Sequence, residues 1–82
     1  MIILPLESEL EEYLKKRHLT AKYKKQKRLF EQNVSHPSLN VELLEPAHLH
    51  FYSFRVDRKY RATFIFISKN IVEVIDINNH YQ

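Results

Sequence analysis

The sequence has 82 residues and contains no glycine, no cysteine and no tryptophan. Without cysteine the chain can form neither a disulfide nor a thiolate metal site, and a reducing compartment is compatible with it. Without glycine it can form neither a glycine-rich phosphate loop nor a nucleophile elbow. Its turns must then rely on Asn, Asp, Ser or Lys, which enter left-handed backbone conformations at a higher energetic cost.

Long apolar runs are also missing. None approaches the ~20 residues that a membrane helix needs. The apolar start, Met1–Leu4, lacks a basic lead-in and is followed by acidic residues, which is unlike a signal peptide. We therefore expect a cytoplasmic protein. The length indicates a single domain over residues 1–82, and a hydrophobic fraction of 44% with ten Tyr and Phe side chains is enough for one core.

Acidic residues are absent from one stretch that is rich in basic ones. Eight of the 13 basic residues fall between Lys15 and Arg28, and no acid interrupts them. Such a stretch attracts the phosphate backbone of RNA or an acidic protein, or it is only a solvated helix surface. Its members are Lys15, Lys16, Arg17, Lys22, Lys24, Lys25, Lys27 and Arg28.

The hydrophobic period changes in the middle of the chain. The first half predicts a helix over residues 7–17 and a second from Thr20, as its cap, to about residue 33. Residues 33–40 have loop composition. The second half predicts strands over 51–56, 60–67 and 71–77, a short one over 41–44 and an edge strand over 2–4. The fold class is therefore α+β, with two helices on one face of a mostly antiparallel sheet.

Two arginines flank the turn between the first two long strands. If Asp57–Lys59 forms a three-residue loop, Arg55 faces Arg61 and both side chains lie on one face of the sheet. A two-residue loop at Arg58–Lys59 would instead place Arg61 on the other face. Two arginines together can hold a phosphate and stabilise developing charge, although they are also common as ordinary exposed strand residues.

Other side chains have acid–base chemistry. His80 can transfer a proton near neutral pH and Tyr81 can stack on a base, although chain ends are often frayed. Glu42 and Glu45 are candidate general bases or solvated carboxylates. The remaining histidines have no metal-ligand spacing, so we expect no metal site and no cofactor.

The order of these features resembles the RelE/ParE superfamily of bacterial type II toxins. The resemblance spans nearly the whole chain: a lysine-rich helical pair over 6–33, the loop His36-Pro37-Ser38-Leu39, the arginine-bearing hairpin over 52–61, and the terminal segment over 75–81. The family implies two N-terminal helices packed on a curved, mostly antiparallel sheet. Many members are messenger-RNA endonucleases that act in the ribosomal A site, without metal, by attack of the ribose 2′-hydroxyl on the adjacent phosphate.

The branch similar to YoeB assigns roles to individual residues. By this resemblance His80 would be the general acid, Tyr81 would support it or stack, and Glu42 would be the base. Arg55 and Arg61 would hold the phosphate, and Arg58 would join the basic stretch in binding RNA. The implied partners are messenger RNA, the ribosome and a cognate acidic antitoxin protein.

Two other functions fit the same sequence. The ParE branch of the superfamily poisons DNA gyrase, and a gyrase inhibitor would not need the tail to meet the arginines. A non-catalytic module that binds RNA or protein would keep the basic surface without the reaction. A short acidic partner encoded in the neighbouring reading frame would distinguish the toxin class from the third alternative.

Overall fold

The structure is a computed structural model that describes residues 1–79. Over these residues it has two α-helices and a five-stranded sheet, which confirms the predicted α+β class. The helices are α1 (Ser8–Lys16) and α2 (Thr20–Gln32), and the strands are β1 (Ile2–Ile3), β2 (Glu42–Leu43), β3 (Tyr52–Arg55), β4 (Arg61–Ser68) and β5 (Ile71–Asn78). Short 3₁₀ turns at Pro37–Leu39 and Ala47–Leu49 were not predicted.

The strands lie in the order β1-β5-β4-β3-β2. Strands β2 to β5 form the predicted antiparallel meander. Strand β1 pairs with β5 at the sheet edge in the parallel direction, with Ile2 opposite Ile71 and Ile3 opposite Val72. The edge position agrees with the sequence prediction, and the chain between these strands contains the helices and the rest of the sheet. A bulge after Thr63 shifts the register between β4 and β5.

The two helices are joined by a tight turn. Helix α1 has acidic residues in its first turn and Lys15 and Lys16 in its last, an order that suits the helix dipole. The predicted cap of α2 was wrong: Thr20 is the first helical residue, Leu19 occupies the N-cap position, and no side chain caps the helix. Tertiary contacts set the start of the helix, because Leu19 is buried and its N–H donates to the Leu14 carbonyl at 2.8 Å.

The core lies between the helices and one face of the sheet. Phe30 of α2 is fully buried, and its ring centroid lies 5.3 Å from Phe54 and 5.2 Å from Phe64. Tyr23, about two helical turns earlier, also packs against Phe54. Burial, with a smaller contribution from the carboxylate of Glu31, raises the pKa of the Tyr23 hydroxyl above its usual range. These aromatic contacts fix α2 against β3 and β4.

The lack of glycine has a visible consequence in the turns. Within residues 1–79, three residues have positive φ: His18 at 57°, Asn40 at 44° and His50 at 56°. Asn was among the residue types expected in this conformation, but histidine was not. His18 and His50 are exposed and follow the last turns of helical segments, where glycine is usually found. Neither helix within residues 1–79 has the length and apolar character needed to span a membrane.

Candidate functional site

One face of the sheet is not covered by the helices, and we call it the outer face. Phe54, Ala62 and Ile77 lie opposite one another on β3, β4 and β5, and all three are buried on the helix side. Because successive residues of a strand point to opposite faces, the residues next to these three belong to the outer face. The outer face therefore carries three of the polar residues that the sequence had singled out, which are Glu42, Arg55 and Arg61.

The β3–β4 hairpin has the predicted geometry. Arg55 lies opposite Arg61, and the Val56 N–H donates to the Tyr60 carbonyl at 2.9 Å. The three-residue loop over Asp57–Lys59 is thus confirmed, and the two-residue alternative was wrong. Both arginines belong to the outer face, as the prediction required.

Glu42 lies on the same face as the arginines. It is opposite Ser53, which is two residues before Arg55 on β3. Diagonal neighbours across adjacent strands have Cα atoms about 7–8 Å apart, so the Glu42 carboxylate and the Arg55 guanidinium can reach a common ligand. Two rows of outer-face residues result: Glu42, Ser53, Thr63 and Asp76 in one, and Arg55, Arg61 and Asn78 in the other.

The two arginines differ in their surroundings. Arg61 is only 5% exposed; its Nε donates to Ser53 Oγ at 2.9 Å, and its Nη2 donates to the carbonyls of Ser53 and Asn40. Its guanidinium is therefore fixed by the protein. Arg55 is half-buried, and its side chain makes no hydrogen bond to any of the residues 1–79. The Arg55 side chain can therefore rotate toward a ligand more easily, whereas the position of the Arg61 guanidinium is set by its hydrogen bonds.

Asn40 links Arg61 to Glu42. Its carbonyl accepts the hydrogen bond from Arg61, and its Nδ2 donates to Glu42 Oε2 at 3.2 Å. The residue adopts the left-handed conformation, which directs its backbone carbonyl and its side chain to these two partners. Sequence reasoning missed both Asn40 and Ser53. An asparagine in a glycine-free loop was the available signal, because asparagine tolerates this conformation better than most residues.

Asp57 organises the turn between the arginines. Its Oδ1 accepts the N–H groups of Lys59 and Tyr60, both at 2.8 Å, and its Oδ2 lies 3.4 Å from Lys22 Nζ. Partial burial alone would raise the pKa of this carboxyl. The two backbone hydrogen bonds and the nearby ammonium outweigh that effect and hold the pKa below its ordinary value. The hydrogen bonds stabilise the conformation of the hairpin, and the ion pair connects the hairpin to helix α2.

The predicted basic stretch divides into two parts. Lys15, Lys16, Arg17 and Lys22 lie near the α1–α2 turn, which meets the β3–β4 hairpin through the Lys22–Asp57 ion pair and a contact between the rings of Tyr13 and Tyr60. Exposed Arg58 is at the same end. Lys24, Lys25, Lys27 and Arg28 lie farther along α2, on the helix side of the sheet. Within this second group Lys27 is half-buried and the others are exposed.

The remaining candidates have different positions. Exposed Glu45 accepts the Ala47 N–H at 3.2 Å and so stabilises the local turn, whereas Glu42 lies beside the arginines. His80 and Tyr81 lie outside the described residues, so their predicted roles remain predictions. Gln26 of α2 was missed by sequence reasoning, although its spacing from Tyr23 and Phe30 places it on the apolar stripe of the helix.

Known structures share this fold. No protein-family model matches the sequence, and no curated protein is significantly similar to it. The chain is similar to a YoeB/ParE toxin from Agrobacterium tumefaciens, with 17% identity, a TM-score of 0.69, and coverage of 98% of this chain and 96% of that one. It is also similar to a protein in a heterotetrameric YoeB–YefM toxin–antitoxin complex from Staphylococcus aureus, with 18% identity, a TM-score of 0.68, and coverage of 99% and 97%. A second YoeB–YefM structure from that organism gives the same values. The chain therefore has the fold of these toxins over its full length.

Proposed function

We propose that this protein is the toxin of a type II toxin–antitoxin pair and acts as a ribosome-dependent, metal-independent endonuclease of messenger RNA. The observation that carries the proposal is the convergence of Glu42, Arg55 and Arg61 on the outer face of this fold. The resemblance of the sequence to the YoeB-like branch, from which the roles of these three residues are carried over, and the full-length fold match support it.

The residues suit cleavage of RNA by its own 2′-hydroxyl. Glu42 accepts the proton of that hydroxyl, the 2′-oxygen attacks the phosphorus, and the bond to the 5′-oxygen breaks. The products are a 2′,3′-cyclic phosphate and a 5′-hydroxyl end. Arg55 and Arg61 stabilise the charge that develops on the phosphate oxygens, a role in which a fixed guanidinium is effective because it needs no reorganisation during the reaction.

The departing 5′-oxygen needs a proton, for which we propose His80. Arginine is a poor donor because its pKa is above 12. A histidine with a pKa near neutrality suits the task, and a positioned acid or base typically contributes about 10²–10⁴-fold in rate. Tyr81 would support His80 or stack on an unpaired base. These two roles rest on the resemblance of the terminal segment.

The test is cleavage of ribosome-bound message in the presence of a chelator. Wild type, Arg55→Ala, Glu42→Gln, His80→Ala and a chain ending at Asn79 are compared, with Lys69→Ala as the matched control. Lys69 is an exposed residue in the turn between β4 and β5, so its loss removes a charge away from the hairpin. We expect the control to cut at the wild-type rate and the four others to lose at least about 10²-fold. Equal rates for wild type, His80→Ala and the shortened chain would overturn the role of the tail.

The second candidate function is inhibition of DNA gyrase. The observation in its favour is the similarity to the Agrobacterium protein, whose description joins YoeB with ParE. The decisive assay is supercoiling by purified gyrase with the chain added in excess. Inhibition of gyrase without cleavage of ribosome-bound message would replace the first proposal with this one. Loss of both activities would leave a non-catalytic binding module.

The proposed regulating partner is an acidic antitoxin. Its support is the YefM partner present in the two Staphylococcus complexes, together with the basic residues around the hairpin. A partner that binds only the folded state stabilises it by mass action, which matters for a domain of this size. We expect the chain alone to arrest growth of a bacterial host and co-expression with its acidic partner to restore growth. Harmless expression of the wild-type chain alone would contradict an active toxin.

A further inference from the structure

Gln26 is a polar residue in an apolar position. It lies on the buried stripe of α2 between Tyr23 and Phe30 and is only 7% exposed. Its Nε2 donates to the Arg55 carbonyl at 2.8 Å and to the Ser38 carbonyl at 3.1 Å. A carboxamide nitrogen has two hydrogens, so both are used in these bonds. Buried donors of this kind keep their partners in place, because a lost bond leaves polar groups without water.

The two acceptors belong to segments that carry the site. Arg55 is the last residue of β3, and its side chain points to the outer face while its carbonyl is held from the helix side. Ser38 is two residues before Asn40, which binds both Arg61 and Glu42. The loop that leads to Glu42 is thus held from the helix side by Gln26 and from the outer face by Arg61.

We propose that Gln26 is a positioning residue that sets the distance between Arg55 and the segment carrying Glu42. The inference deepens the proposed nuclease function and rests on it for its effect on catalysis. Two residues that act on one phosphate must keep their spacing, and a displacement of about 1 Å can cost about 10²-fold in rate. Gln26 fixes this spacing through a single side-chain group without touching the substrate.

The experiment compares Gln26→Met, Gln26→Lys and Gln32→Met with wild type. Methionine matches glutamine in length but donates no hydrogen bond, whereas the lysine ammonium keeps donors for both carbonyls. Gln32 is an exposed glutamine at the end of the same helix and provides the matched control. All variants are first checked for a cooperative unfolding transition, and rates are corrected for the folded fraction.

Two readouts decide the inference. In cleavage assays we expect Gln26→Met to lower kcat at least 10-fold with little change in KM, Gln26→Lys to recover most of it, and Gln32→Met to behave as wild type. In amide hydrogen exchange we expect Gln26→Met to accelerate exchange of the Leu39 and Val56 N–H groups at least 10-fold. The Leu4 N–H, which bonds to Val72 on the far side of the sheet, serves as the internal reference and should change little.

The outcomes separate the inference from the proposed function. If wild type does not cut RNA, the nuclease proposal fails, and the exchange result alone then decides whether Gln26 fixes the two segments. If wild type cuts and folded Gln26→Met cuts equally fast, the positioning role is wrong and the nuclease proposal stands. An unchanged exchange rate at Leu39 and Val56, or a loss of kcat that Gln26→Lys does not recover, also overturns the positioning role.

Discussion

The turn that separates Arg55 from Arg61 depends on one carboxylate, and replacing Asp57 tests this directly. The Asp57→Ala substitution removes two backbone hydrogen bonds of 2.8 Å and the contact with Lys22 at 3.4 Å. Hydrogen bonds to charged groups contribute about 1.5–3 kcal/mol each, but water can replace the carboxylate at the exposed turn. Loss of comparable helix caps costs about 1 kcal/mol and at most about 2. We therefore expect Asp57→Ala to cost about 1–2 kcal/mol of unfolding free energy.

The parts of this interaction can be separated with two further variants. The Lys22 side chain is 61% exposed, so its ion pair is worth about 0–1 kcal/mol, and Lys22→Met should cost no more than about 0.5 kcal/mol. Asp57→Asn keeps an acceptor for the two N–H groups but loses the charge, and should fall between the other two. Urea denaturation at neutral pH, monitored by tyrosine fluorescence, gives the unfolding free energies of the three variants. Equal losses for Lys22→Met and Asp57→Ala would refute the reasoning, because they would assign the stability to the ion pair.

The same carboxylate has a predictable pH dependence. The folded state holds the pKa of Asp57 below its ordinary value, so the stability it contributes is present above the unfolded pKa of about 3.9 and is lost as the pH falls through the folded pKa. The stability difference between wild type and Asp57→Asn should thus be largest at neutral pH and shrink below about pH 4. A difference that persists unchanged at pH 3 would show that the charge of Asp57 is not its source.

Three further predictions concern other parts of the molecule. His18→Gly should raise stability by about 0.5–1 kcal/mol, because glycine adopts φ of 57° without the side-chain penalty; thermal unfolding measures this, and a lower Tm would contradict it. Tyr23→Phe should stabilise the fold by about 1 kcal/mol, because the buried hydroxyl has no hydrogen-bond partner among residues 1–79. Urea denaturation measures this, and a loss of stability would contradict the prediction by showing that the hydroxyl makes a stabilising bond. RNA binding should weaken steeply with salt: if the basic residues neutralise about five phosphates, a plot of log affinity against log salt should have a slope of about −3.5 to −4.5, and a flat titration would remove nucleic acid from the partners.

Much of the candidate site followed from local rules. The number of residues between Arg55 and Arg61 fixed their common face once the turn had three residues, because strand side chains alternate with a period of two. This is a short-range relation, in which the chain has few alternative conformations. The association of Glu42 with the arginines was instead implied by the resemblance to the YoeB-like branch, and the sheet register agrees with it.

Contacts between distant segments were not predictable in this way. The sequence marks Gln26 as polar on an apolar stripe but does not say that its partners are the carbonyls of Ser38 and Arg55, 12 and 29 residues away. The sequence suggests that the lysine-rich stretch forms one surface, but the structure divides it into two. The turn after α1 brings only the first half of the stretch to the hairpin.

The sequence by itself determined the approximate helices and strands, because hydrophobic periodicity acts between neighbouring residues. It left two loop lengths open between Arg55 and Arg61, and the structure decided that these arginines and Glu42 share one face. The tertiary structure decided that Arg61 is buried and fixed by Ser53 and Asn40, whereas Arg55 is half-buried and its side chain makes no hydrogen bond to residues 1–79. The physical reason is that burial and hydrogen-bond partners depend on which segments pack together. That packing is set by the whole core rather than by any one stretch of the chain.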